Sequence, residues 1–260
     1  MPNARKQLTV LGGALLVEVA LVFVTYLVTP LGQLTAPGQV APTAITAMPR
    51  WLLASANAGI VLAVYGLLGM GAYWFATKLR LPALYREGAG WRAWVLWPML
   101  LGLVIGVVLI IGDRIFSAAG GTPGFPHPAF PLSVFASASA GIGEEILARG
   151  FILGLWGLGL TAILRGQRGR TTALWIANII AALAFGALHL PAAILLLGVT
   201  SPADLPTATL AELFALNGIL GLAAGERMMR DGLVAAMGLH FWADVVWHVV
   251  WPMFIPGSGL

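Results

Sequence analysis

Residues 93–112 read AWVLWPMLLGLVIGVVLIIG, a run without a single charge. It is long enough to cross a bilayer core, which takes about 20 apolar residues in helical form. Outward from it, six further apolar runs cover roughly 8–29, 51–77, 130–160, 171–198, 207–225 and 232–254. The 260-residue chain is 59% hydrophobic and 9% charged, against about 45–50% apolar and about 25% charged in soluble domains. So few charges cannot solvate a soluble enzyme of this size, and so apolar a chain is not disordered. The expected fold is all-α: a polytopic transmembrane helix bundle of about seven spans. Arg5 and Lys6 precede the first run as in a signal peptide, but its apolar stretch exceeds the about 7–15 residues of such a segment. It is therefore expected to be a retained helix.

The basic residues orient the bundle. Arg5 and Lys6, then Lys78, Arg80, Arg86 and Arg92, then Arg165, Arg168 and Arg170, then Arg227 and Arg230 all fall on one side. The other side has Arg50 and Arg114, and Arg149 lies inside a span. Positive-inside bias places the N-terminus in the cytosol and the C-terminus outside. The net charge of +4 therefore records topology, and no nucleic-acid partner is expected. The connectors on the outer side, 30–50 and 117–131, are rich in Pro, Gly, Thr and Ala, as in Thr122-Pro123-Gly124-Phe125-Pro126. Trp51, Trp91, Trp94 and Trp247 fall near span ends, where indoles anchor at the interface. With no cysteine, there is no thiolate nucleophile and no Cys-ligated metal.

Ionisable residues inside a membrane are costly and mark function. They concentrate in three runs. In Gly143-Glu144-Glu145-Ile146-Leu147-Ala148-Arg149-Gly150, Glu145 and Arg149 are four apart and pair on one helix face. Glu144 points about 100° away and has no local partner. In Phe185-Gly186-Ala187-Leu188-His189-Leu190-Pro191, the proline is expected to kink the helix just beyond His189. His240, Asp244 and His248 recur at four-residue steps on one face, with His248 nearer the outer end. Each group alone fits a structural ion pair, a packed core histidine or a hydrogen-bonded seam between helices. Together they describe a polar cavity. Glu18 and Glu212 are two further acidic residues in spans, Glu212 expected at the interface. Asn57 and Asn217 are expected to bond between helices.

A carboxylate and a neutral imidazole facing one water can activate it, and nearby donors can stabilise the oxyanion that forms. Peptide-bond hydrolysis needs both. Glu144 is the candidate base, sharing the water with His189. Arg149 holds Glu145, and His240 with Asp244 faces the oxyanion. No His-Glu-x-x-His occurs, so the common zinc-protease motif is absent. Glu144, His189, His240 and Asp244 also form a carboxylate–imidazole set that suits zinc, which keeps a zinc-dependent hydrolase as an alternative. A proton-coupled transporter lacks support from any inverted repeat.

Glu144-Glu145-x-x-x-Arg149, Phe185-x-x-x-His189 and His240-x-x-x-Asp244, in that order on separate helices, resemble the three-motif signature of the CPBP family. These are CAAX-protease and bacteriocin-processing intramembrane glutamic endopeptidases, related to the type 2 CAAX prenyl endopeptidase. The resemblance covers residues 130–254 as a catalytic core, with 1–129 as N-terminal spans outside it. It implies a metal-independent peptidase in the plasma membrane of a prokaryote, with a cavity facing the cytosol. Its substrate would be a membrane-embedded or lipid-modified peptide or protein. It also implies that the first Glu and the second-motif His activate water, that the second Glu pairs with Arg, and that the third motif contacts the oxyanion. Prenyl-protease members usually have Asn where this chain has Asp244. An ionised Asp cannot donate to an oxyanion, so Asp244 is either protonated or orients His240. Some branches of the superfamily are non-catalytic scaffolds or immunity proteins, a role that gives two mid-bilayer Glu no chemical purpose.

Overall fold

The computed structural model describes residues 3–30, 48–120 and 127–254. The Thr122–Pro126 connector and most of the 30–50 connector lie outside these. Among the described residues every regular element is helical. Seven helices are long and apolar enough to cross a membrane: α1 (Ala4–Val28), α2 (Arg50–Lys78), α3 (Arg92–Gly120), α4 (Leu132–Ile163), α5 (Gly166–Leu197), α6 (Thr207–Asp231) and α7 (Leu233–Phe254). In hydrocarbon each backbone polar group must be bonded internally, which helices achieve within one segment. The boundaries follow local chemistry. The Asn3 side chain caps α1 by accepting from the Lys6 N–H, and prolines stand at the N-caps of α2 and α6.

Burial ranks the helices. It rises from 11% of the most apolar window in α1 to 56% in α7, so α7 is central and α1 peripheral. Helices in lipid gain little from apolar burial against one another and associate through close packing of small residues. Gly102 and Gly106 of α3 supply such a seam. A Cβ on Gly102 would lie 2.7 Å from the Trp242 Cβ, and one on Gly106 2.7 Å from the Ala243 carbonyl. The seam between α2 and α4 works the same way, with Gly150 against Ala72 and Gly154 against Phe75.

The end of the bundle that carries the basic residues is closed by the connector between α2 and α3. Leu81, Ala83 and Leu84 are buried there. The Leu233 and Val234 N–H groups donate to the Ala83 and Leu84 carbonyls, and the Arg86 N–H donates to Asp231. The Gln7 amide of α1 accepts from the Leu84 N–H at 2.9 Å and donates to the Tyr85 carbonyl at 3.0 Å. Gly232, at φ +100°, turns α6 into α7 against the Tyr85 backbone, where a Cβ would lie 2.6 Å from the Tyr85 Cα. This plug forms a polar and apolar floor under the helices.

Two expectations are corrected. Asn57 and Asn217 donate to Leu53 and Leu213 in their own helices, because a carbonyl one turn back is within reach of an Asn side chain. Asn178 makes the cross-helix bond instead, to Leu222 at 3.0 Å.

Candidate active site

The three motifs converge. Glu145 is fully buried on α4, and Arg149 one turn later meets its Oε1 at 3.1 Å. The same oxygen lies 2.8 Å from the Nδ1 of His240 on α7. Glu145 thus bridges two motifs, a link the spacing along one helix could not reveal. The Arg149 guanidinium carbon sits 4.2 Å from the centre of the Phe185 ring. That ring also meets His189 and His240 edge-on, at centroid distances of 4.8 and 5.6 Å. Phe185 is therefore the apolar hub that spaces one guanidinium and two imidazoles. Arg149 further donates from Nε to the Gly221 carbonyl of α6 at 3.4 Å. A Cβ on Gly221 would lie 2.7 Å from Arg149 Nη2, so a bare glycine leaves room for the guanidinium.

Glu144 is turned away from this buried network. Its side chain is 38% exposed against 0% for Glu145, and it lines a cavity of about 380 Å³ together with His189, His240 and Asp244. Of the third motif, His240 presents Nε2 to Asp244 Oδ2 at 3.5 Å and to Glu144 Oε2 at 3.9 Å. The imidazole is thus ringed by three carboxyl groups. Straight after Glu145 and Asp244 the helices widen into π-helical turns, Ile146–Ile152 and Val245–Val250. Such turns recur at functional sites.

The break in α5 explains the second motif. Regular helix ends at Leu188 and resumes at Leu190. Pro191 has no N–H to give to the preceding turn, and the His189 N–H bonds Gly186 rather than Phe185. The Phe185 carbonyl, left free by the helix, pairs with His189 Nδ1 at 2.8 Å. A carbonyl only accepts, so Nδ1 carries a proton, and in the neutral ring Nε2 then keeps its lone pair.

The cavity runs from these residues toward the end opposite the basic residues. Its wall includes Leu109, Ala192, Leu196, Glu212 and Leu213. Around these residues Ile146, Ala224, Leu239 and Ala243 are completely buried and Leu220 and Met228 nearly so. Among the described residues no three His, Asp or Glu side chains are grouped so as to hold a metal ion. His240 spends Nδ1 on Glu145, which takes one donor out of the set.

Several residues are placed differently from expectation, or were overlooked. His248 lines the cavity and approaches His127 Nδ1 at 3.0 Å. His127 has no helical pattern to announce it. Trp247 is a wall residue that packs on His248, rather than a bilayer anchor. Glu212 is 4% exposed, buried against α3, where its carboxyl group bonds that of Asp113. Glu18 accepts from the Ser139 hydroxyl at 2.7 Å, which ties α1 to the helix that carries Glu144.

Glu144, His189, His240 and Asp244 thus gather around one internal cavity in a bundle of helices long and apolar enough to cross a membrane. Residues 126–246 match the family described as type II CAAX prenyl endopeptidase Rce1-like. The match spans Glu144, Glu145, Arg149, Phe185, His189, His240 and Asp244 and leaves out His248 and the first three spans. No curated protein and no solved structure matches the chain.

Proposed function

We propose that this protein is an intramembrane endopeptidase that hydrolyses a peptide bond with a water activated by Glu144 and His189. The observation that carries the reading is the division of the two adjacent carboxylates. Glu145 is locked between Arg149 and His240, while Glu144 faces the cavity beside His189. A water accepted by Glu144 and by the free Nε2 of His189 loses a proton to the carboxylate as its oxygen attacks the carbonyl. Glu144 then returns that proton to the leaving amine. General acid–base catalysis of this kind contributes about 10²–10⁴-fold.

His240 serves the oxyanion. With a proton on each nitrogen, Nδ1 donates to Glu145 and Nε2 directs positive charge into the cavity, where the carbonyl oxygen turns negative. Asp244 Oδ2, 3.5 Å from His240 Nε2, orients the imidazolium through its charge and leaves the Nε2 proton to the oxyanion. A preorganised donor of this kind is worth about 10²–10³-fold. The chemistry uses no metal, and the membrane is the plasma membrane of a prokaryote. The mainly aliphatic wall suits a membrane-anchored or lipid-modified peptide.

The test is cleavage by purified protein of one peptide sequence with and without a prenyl group, each with and without a strong chelator. Cleavage that survives the chelator supports the reading, and a faster lipidated substrate supports the substrate class. Reversible loss with chelator would replace it by a zinc hydrolase. Silence on every peptide, across a broad library, would favour a scaffold.

A further inference from the structure

We propose that the recess between the α2–α3 connector and the end of α6 binds the phosphate headgroup of an anionic phospholipid. The recess lies apart from the cavity that holds Glu144, and the proposal does not rest on the peptidase reading.

The first observation is a local excess of positive charge. The recess has a volume of about 360 Å³ and is lined by four arginines. Arg86 and Arg92 come from the connector and the start of α3, Arg227 and Arg230 from the end of α6. Two carboxylates answer them. Asp231 pairs with Arg86 at 2.9 Å and with Arg227 at 3.2 Å. Glu226 pairs with Arg227 and reaches Arg230 at 3.8 Å. Arg92 has no ion pair among the described residues. The recess therefore carries more guanidinium charge than its carboxylates balance. Arginine presents a planar fork of donors that matches the oxygens of a phosphate. Arg227 is held in place by its two carboxylates, while Arg86 and Arg230 are exposed enough to close on a ligand.

The second observation selects a lipid as the source of that phosphate. Trp91 and Trp97 line the recess and are exposed, and indoles settle at headgroup level. From Trp97 an apolar stripe continues along α3 through Leu101, Val104, Val108, Ile111 and Ile115, all of them exposed. Their spacing of three and four residues keeps them on one helix face. The stripe runs roughly 27 Å, close to the about 30 Å of a bilayer core. A headgroup seated in the recess thus has a continuous apolar track for its acyl chain, which a free phosphate does not use. Basic pockets beside membrane helices bind phospholipid headgroups on this principle. A bound headgroup also bridges the connector to α6, reinforcing the bond from the Arg86 N–H to the Asp231 carbonyl.

The test follows thermal unfolding of the purified full chain in a detergent with an uncharged headgroup. Phosphatidylglycerol, phosphatidylcholine with the same acyl chains, and inorganic phosphate are titrated in separately. The expected result is a saturable rise in melting temperature with phosphatidylglycerol alone. Arg92→Gln with Arg230→Gln removes two exposed charges from the recess. The concentration that gives half of the rise is expected to increase about tenfold or more, because charge-assisted hydrogen bonds to phosphate are lost. Arg165→Gln with Arg168→Gln removes the same charge from exposed positions in another basic connector and is expected to respond as wild type. Gly90→Glu keeps every arginine and sets a carboxylate in the recess, at a position where a Cβ meets nothing within 4 Å. It is expected to weaken the response as the Arg92 and Arg230 changes do. No rise with phosphatidylglycerol, or an equal rise with phosphatidylcholine, would overturn the proposal. An equal rise with inorganic phosphate would overturn the lipid as its source. Equal weakening in the two arginine pairs would replace the site by diffuse attraction. A wild-type response of both Gly90→Glu and the Arg92 and Arg230 pair would place any lipid elsewhere and overturn it too.

Discussion

His240 Nδ1 lies 2.8 Å from Glu145 Oε1, the same oxygen that Arg149 Nη1 meets at 3.1 Å. One fully buried carboxylate thus joins the first and third motifs, and it sets both the charge balance and the ring orientation of His240. Truncating one partner of a buried ion pair leaves an unpaired charge, at a cost of about 3–5 kcal/mol. Glu145→Gln is expected to lower thermal stability in detergent by that amount and to lower activity with it. Unfolding monitored by fluorescence, alongside cleavage, checks this. Unchanged stability would mean that Arg149 is compensated elsewhere.

The break in α5 makes a separable prediction. Pro191→Ala restores an N–H and lets the helix run on, so that the His189 N–H competes with its ring for the Phe185 carbonyl. Stability is expected to hold or rise, while kcat falls by about tenfold, about 1.4 kcal/mol in the barrier. Measurement of kcat and melting temperature on one preparation distinguishes this from general damage, which lowers both.

Helix packing is tested at Gly106. Leu at this position would push against Val246 and the Ala243 carbonyl and force α3 from α7. Overpacking costs about 1–3 kcal/mol, so Gly106→Leu is expected to lower the melting temperature. Gly218→Leu is the control, because a Cβ there meets nothing within 4 Å, and it is expected to be neutral. Equal effects of the two would argue against a packed seam.

How much of this was legible in the sequence follows from what kind of information each feature needs. The seven spans and the end that carries the charges are local properties of composition, and apolar length alone located them. The motif residues were legible because an ionisable side chain in hydrocarbon demands an explanation. Pairing of Glu145 with Arg149 is a property of one helix and was readable. Pairing of Glu145 with His240 joins two helices far apart in sequence and was not. Asp113 escaped notice beside Arg114, and Glu212 looked interfacial from its place near a helix end. Their union depends on the approach of α3 to α6. His127 lies in a connector without periodicity, and only the fold brings it to His248. The π-helical turns after Glu145 and Asp244 leave no residue pattern at all.

Acid sensitivity has an identifiable source at that connector. Burial, reinforced by the neighbouring His248, pulls the His127 imidazole from 6.5 down to about 4. Between those values the unfolded chain binds more protons than the folded one, so stability falls as pH drops from about 6.5 to about 4. It is fully retained above that window. His127→Gln is expected to flatten the dependence of melting temperature on pH across the window without changing it at pH 8. A slope identical to wild type would assign the sensitivity to other groups.

The central claim is that Glu144, and not its neighbour, is the base. The most direct measurement is kcat for peptide cleavage by Glu144→Gln, which keeps the side chain's shape and removes its charge, with melting temperature recorded on the same sample. The account predicts a fall of about 10²–10⁴-fold at unchanged stability, because the Glu144 carboxylate faces the cavity rather than the core. A Glu144→Gln enzyme that cleaves at the wild-type rate would contradict it.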